Sequence, residues 1–193
     1  MGRWEPDAEG RFRAAAMDLF AERGYEQTTV ADIAERAGLT RRTFFRYFAD
    51  KREVLFNGGG RLQALMVEAL ASAPAEASAI EAISAALDAT AEFFDGNRDF
   101  ARQRQAVIAT HTDLHERELM KLATLAAALA EALRHRGVPE PDASLAGETG
   151  IAVFRVSFAG WVAGGENRSF REILKSSLTR LKALAMAPKS SKT

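Results

Sequence analysis

The chain contains no cysteine. That excludes a disulfide frame, a thiolate metal site and a thiol nucleophile, although it fixes no compartment. No apolar run approaches the ~18 residues that a membrane span requires. The opening stretch MGRWEPDAEG is charged and lacks the apolar core of a signal peptide, so a cytoplasmic location is expected. Excess charge of one sign is also missing: 26 Lys and Arg balance 26 Asp and Glu. Taken as a sum, that argues against an anionic partner. What remains is an ordinary globular composition, 47% apolar and 27% charged over 193 residues, with ample core material. Leu, Ala, Glu and Arg dominate, and Gly and Pro cluster between periodic stretches. This pattern predicts an all-α fold.

The distribution of charge says more than its sum. Between residues 36 and 52, Arg36, Arg41, Arg42, Arg46, Lys51 and Arg52 face only Asp50, a local charge of +5. A basic patch on a neutral chain suits an anionic partner that touches one end. Helical periodicity runs through residues 9–23, where Phe12, Ala15, Ala16, Leu19 and Phe20 recur, with Gly24 as the stop. A helix of about two turns follows, capped by Thr29 with Asp32 in its first turn. Gly38 ends it, and Thr40 caps a third helix. Helix two, the Gly-Leu-Thr turn and helix three make a helix-turn-helix. Asp50 caps a fourth helix, which Gly58, Gly59 and Gly60 interrupt, so a kink or break is expected there. Further helices are predicted over 79–95, 98–110, 113–136, 142–164 and 169–186, giving domains over 1–52 and 53–187 and a disordered polar tail over 188–193.

In TRRTFFRYFADK, residues 40–51, Phe44 and Phe48 are four apart and share one helix face, which can join Leu39, Ile33, Leu19 and Phe20 in a small core. Arg41, Arg42, Thr43, Arg46 and Tyr47 fall on other faces. Arg41 and Arg42 lie in the first turn, where burial is unfavourable, so they point outward. Backbone N–H groups at a helix start attract phosphate, and a guanidinium fork matches guanine O6 and N7. Phe45 sits on the Arg41/Arg42 side, half exposed. A solvated charged face is the plainer alternative, against which stand the short helices, threonine caps and uncompensated charge.

The segment AMDLFAERGYEQTTVADIAERAGLTRRTFFRYFADKREVL closely resembles the N-terminal pattern of the TetR family of bacterial transcriptional regulators. The resemblance covers about residues 11–55. It implies a homodimer with N-terminal helix-turn-helix domains, an all-helical ligand-binding and dimerisation domain, and repression of a DNA operator relieved by a small apolar or amphipathic effector. It further implies that Thr29 holds a phosphate, that Thr40, Arg41, Arg42 and Thr43 meet phosphate and base edges, and that Tyr47 and Lys51 clamp the DNA backbone. The family often has tyrosine where this chain has Phe45, which lacks a hydroxyl and offers only apolar contact, such as to a thymine methyl. Whether Arg46 or Tyr47 compensates stays open.

The second half diverges within such families. Over 142–164, Ala146, Gly150, Val153, Ser157, Gly160 and Gly164 form a stripe of small side chains. The stripe suits a dimer seam, which the family places on its last two helices, and it also suits close packing inside one subunit. A two-fold dimer would set two recognition helices ~34–36 Å apart on a palindromic operator. Phe93, Phe94, Phe100, Phe154, Phe158 and Trp161 can line an apolar pocket or form core. Arg155 can pair with Glu148 or meet a ligand carboxylate, and His111 can be a polar pocket contact. A rival reading is a helical enzyme or metal-binding protein using His111 and His115 with Asp113 or Glu116. Against it, HTDLHE lacks the Glu that follows the first His of HExxH, and the chain shows no phosphate loop, nucleophile elbow or cofactor motif. A helical interaction module is a further rival.

Overall fold

A computed structural model describes residues 7–94, 96–164 and 168–186; the tail expected over 188–193 lies outside them. Ten helices are described: α1 (Ala8–Arg23), α2 (Val30–Arg36), α3 (Arg41–Tyr47), α4 (Glu53–Phe56), α5 (Gly59–Ala71), α6 (Ala79–Phe94), α7 (Arg98–Ala109), α8 (Thr112–His135), α9 (Asp142–Ala163) and α10 (Phe170–Met186). There is no strand among the described residues. The fold is all-α. No helix among them is long and apolar enough to cross a membrane.

Short polar side chains start the helices. Thr29 and Asp32 form a capping box on α2: Thr29 N donates to Asp32 Oδ2 at 2.8 Å, and Asp32 N donates to Thr29 Oγ1 at 3.2 Å. Ser78 with Glu81, and Ser169 with Glu172, repeat the arrangement before α6 and α10. Thr40 Oγ1 accepts from Thr43 N at 3.1 Å and starts α3. Asp50 Oδ1 accepts from the backbone N–H groups of Arg52 and Glu53 ahead of α4. The helix expected from Lys51 is broken at the glycines, with α4 a single turn and α5 restarting at Gly59.

The chain divides into two compact units, Met1–Gly59 with Asp99–Glu118, and Gly60–Arg98 with Leu119–Thr193. The first is larger than the domain of residues 1–52 expected from the sequence. Val54, Leu55 and Phe56 of α4 join its core together with Ile108 and Leu114. Arg104 Nε donates to Leu55 O at 2.6 Å and Arg104 Nη1 bonds Glu118 at 3.0 Å, both side chains largely buried. Arg117 pairs with Glu53. At the centre, Phe12, Phe44 and Phe48 pack ring to ring, with Phe12 edge-on to Phe44 at 5.2 Å. Removing a fully buried Phe such as Phe44 costs about 3–5 kcal/mol.

In the second unit, α9 packs on α6 and α10. A Cβ on Gly147 would lie 2.7 Å from Ala126 O, and one on Gly150 would lie 2.9 Å from Ile83 Cγ2. The small residues thus let α9 approach α8 and α6 within one subunit.

Candidate nucleic-acid interface

The turn between α2 and α3 fixes the aim of α3. Gly38 has φ 65°, a left-handed conformation that favours glycine. Leu39 N then donates back to Ala34 O at 2.9 Å. Arg11 of α1 clamps the same corner, Nη2 donating to Ala37 O at 2.5 Å. Sequence periodicity gave no hint of that role for Arg11, because its partner lies 26 residues away.

With α3 held by buried Phe44 and Phe48, Arg41, Arg42, Phe45 and Arg46 face outward, while Tyr47 is half-buried with its ring 6.4 Å from that of Phe12. Thr29, Thr40, Arg41, Arg42 and Arg46 are exposed, and Thr43 is half-buried beside Thr40, their hydroxyls 2.9 Å apart. Arg41 and Arg42 make no hydrogen bond or ion pair among the described residues. Phe45 is 51% exposed, its ring edge-on to Phe44 at 5.5 Å. Arg46 Nη2 donates to Tyr47 Oη at 3.2 Å, and its guanidinium lies over the Tyr47 ring, so these two present one polar group together.

The six cations of the basic stretch do not act alike. Arg36 forms a bidentate pair with Glu22 at 2.8 and 2.7 Å, and Arg52 pairs with Asp50 at 2.8 Å. Lys51, expected as a backbone clamp, is half-buried: Nζ donates to Tyr25 O at 2.6 Å and sits 4.0 Å from the Tyr25 ring centre. Burial lowers the Lys51 pKa, and burial, then the Asp113 carboxylate, pushes Tyr25 up to about 12. The charge offered to solvent is therefore that of Arg41, Arg42 and Arg46.

The other expectations fare differently. Gly150, Val153 and Ser157 are buried inside the unit, so they are not a dimer seam, and Ala146 is half-buried. Gly160 is exposed with open space around it, and Gly164, φ 81°, ends α9. The outward face of α9 instead carries Leu145, 62% exposed, and Val156, 69% exposed, with Ala152, Ala159 and Ala163 on the same face. Phe93, Phe94, Phe154, Phe158 and Trp161 do come together, joined by Phe170. Phe100 and His111 do not belong with them. They lie in the first unit, Phe100 under the guanidinium of Arg13 and His111 edge-on to Tyr25 with Nδ1 donating to Val107 O at 2.8 Å. Arg155 is exposed, not set in an apolar pocket. His115 is exposed, and no three His, Asp or Glu side chains gather as a metal site among the described residues.

Comparison with known proteins agrees with this geometry. Residues 12–57 match the family described as bacterial regulatory proteins, tetR family. The HTH-type transcriptional regulator TcmR of Streptomyces glaucescens is 40% identical over 74 residues, which cover 38% of this chain and 33% of that protein. The chain thus matches about a third of that relative's length. A structure from Syntrophomonas wolfei, described as a TetR-family transcriptional regulator, superposes with a TM-score of 0.69 at 19% identity, covering 96% of this chain and 98% of the other. The FadR repressor of Thermus thermophilus, solved with lauroyl-CoA, superposes with a TM-score of 0.59 at 25% identity, covering 96% and 98%. Residues 12–57 thus carry the N-terminal segment of the tetR family of bacterial regulatory proteins.

Proposed function

We propose that the chain is a homodimeric repressor that binds a palindromic operator through α3 and releases it when a small apolar or amphipathic molecule enters the second unit. The observation that carries this reading is the division of α3: Phe44 and Phe48 are buried while Arg41, Arg42, Phe45 and Arg46 stand in solvent. Thr29 and Thr40, with the backbone N–H groups beside them, hold phosphates. Arg41 and Arg42 reach guanine edges, each bidentate contact contributing about 1–3 kcal/mol of discrimination. The exposed apolar face of α9 supports a dimer, since Leu145 and Val156 otherwise leave a stripe of apolar surface in water. The aromatic cluster of the second unit supports an apolar effector. FadR, solved with lauroyl-CoA, has a related fold.

Selection of random duplex DNA tests the reading. Wild type should enrich a palindrome with two half-sites about one helical turn apart. Binding that is weak, indifferent to sequence and set only by salt would overturn it.

A further inference from the structure

Phe94 of α6, Phe154, Phe158 and Trp161 of α9, and Phe170 of α10 form one aromatic cluster. The Phe94 ring centre lies 5.2 Å from that of Phe158, 5.4 Å from Phe170, 5.9 Å from Phe154 and 6.0 Å from Trp161. Phe154, Trp161 and Phe170 are buried; Phe94 and Phe158 are half-buried, where the cluster meets solvent. On the same α9 face sits a polar atom without a partner. Ser157 is fully buried, and its Oγ makes no hydrogen bond. A serine inside a helix often returns its hydroxyl to a carbonyl of the preceding turn; this one does not. A buried, unpaired hydroxyl destabilises a fold unless something uses it.

A second buried hydroxyl lies on the neighbouring helix α6, at Thr90. Ile83 meets Gly150, and eleven residues further along both helices Phe94 meets Trp161. The two helices therefore run alongside each other in the same direction. Seven residues on from Ile83 and from Gly150 stand Thr90 and Ser157. Thr90 is fully buried, and its Oγ1 donates to Leu87 O at 2.7 Å, which leaves its lone pairs to accept. Ser157 Oγ can donate. Arg98, the cation over the Trp161 ring at 5.9 Å, is engaged by the Trp161 carbonyl through Nε at 2.8 Å.

From this we infer that the Ser157–Thr90 level of the α6–α9 seam, with the rings beside it, binds an uncharged ring-bearing molecule through a phenol-type hydroxyl. That hydroxyl accepts from Ser157 and donates to Thr90, while the aromatic rings part to flank the ligand ring edge-on or offset. The inference rests on the effector reading above, and it assigns that reading a ligand class.

The test uses the full chain with Trp4→Phe, so that Trp161, the other of the two tryptophans, reports alone. Its emission is titrated with 2-naphthol and with naphthalene, which shares the rings and lacks the hydroxyl. Saturable quenching is expected, with 2-naphthol about three- to tenfold tighter, the worth of one hydrogen bond. Ser157→Ala should erase that preference, leave naphthalene binding in place and raise the melting temperature of the free protein. Thr90→Val should shrink the preference. Absence of saturable binding, a preference that survives Ser157→Ala, or a lowered melting temperature in Ser157→Ala would each overturn the site. Adding 2-naphthol to the complex with selected operator separates the two readings. Ser157-dependent binding without release upholds the site and removes the effector role, whereas operator binding with no naphthol site leaves the regulator standing and removes this inference.

Discussion

Phe45 shows how one side chain can alter what a recognition helix reads. Its ring stands in solvent at the start of a face otherwise made of arginine and threonine, and Phe44 braces it edge-on. Lacking a hydroxyl, it gains nothing from phosphate and is suited to a thymine methyl. Replacing the contacted thymine by uracil in a selected operator should weaken wild type about fourfold, the worth of one buried methyl group at about 0.8 kcal/mol. Phe45→Ala should not notice the change; equal losses in both proteins would place the contact elsewhere. Much at this scale was legible beforehand. The four-residue spacing of Phe44 and Phe48 put both inside, as found. The pairing of Arg36 with Glu22 was not legible, because the partner is on another helix, 14 residues away. The same limit hid the commitment of Lys51 to the Tyr25 carbonyl.

Individual helices are set by caps that the sequence displays openly. In the α2 capping box the Thr29 hydroxyl, and then its backbone N–H, hold the Asp32 carboxyl below its ordinary value of 3.8. A lowered folded pKa contributes stability that is present above pH 3.8 and lost as pH falls through the lower folded value. Asp32→Asn keeps an acceptor for Thr29 but does not titrate. Its unfolding free energy, measured across that window, should fall less steeply with acid than that of wild type; identical slopes would mean Asp32 contributes nothing. At the glycine run the break between α4 and α5 was expected, and the boundary between the compact units falls between Gly59 and Gly60. A Cβ on Gly60 meets open space, so Gly60→Ala should raise stability in urea by up to about 1 kcal/mol. If alanine at Gly58, Gly59 and Gly60 together leaves DNA affinity and its ligand response unchanged, the glycines are not a hinge. For α9 the periodicity failed in an instructive way. Both its small face and its Leu145/Val156 face are apolar, so spacing alone could not say which one turns inward. The backbone approach at Gly147 and Gly150 decides it.

For the whole molecule, the proposed repressor needs two copies and a response that begins in the second unit. The outward α9 face is the expected seam. Val156→Arg should yield a monomer in sedimentation and lose more than about tenfold in operator affinity at fixed salt; a variant that stays dimeric would move the interface elsewhere. The ion pairs Arg104–Glu118 and Arg117–Glu53 tie α4 to α7 and α8 inside the first unit. Arg104→Ala strands Glu118 in a largely buried position and should cost about 3 kcal/mol of stability, read from denaturant unfolding. A loss within error of zero would show that water replaces the guanidinium. The all-helical class and the helix-turn-helix were readable from a motif that fixes caps, turns and core spacing together. The second half offered periodicity without such a motif: it gathered Phe93, Phe94, Phe154, Phe158 and Trp161, but it also drew in Phe100 and His111, and only the packing told which face of α9 turns outward.

Whether α3 reads bases with arginine is decided by one titration. Dissociation constants would be measured for wild type and Arg42→Ala, at one stated salt concentration, on the selected operator and on duplexes altered at single positions of each half-site. Wild type should discriminate by about 1–3 kcal/mol at one guanine per half-site, and Arg42→Ala should not. Uniform weakening of Arg42→Ala on every duplex, with its base preferences intact, would contradict it.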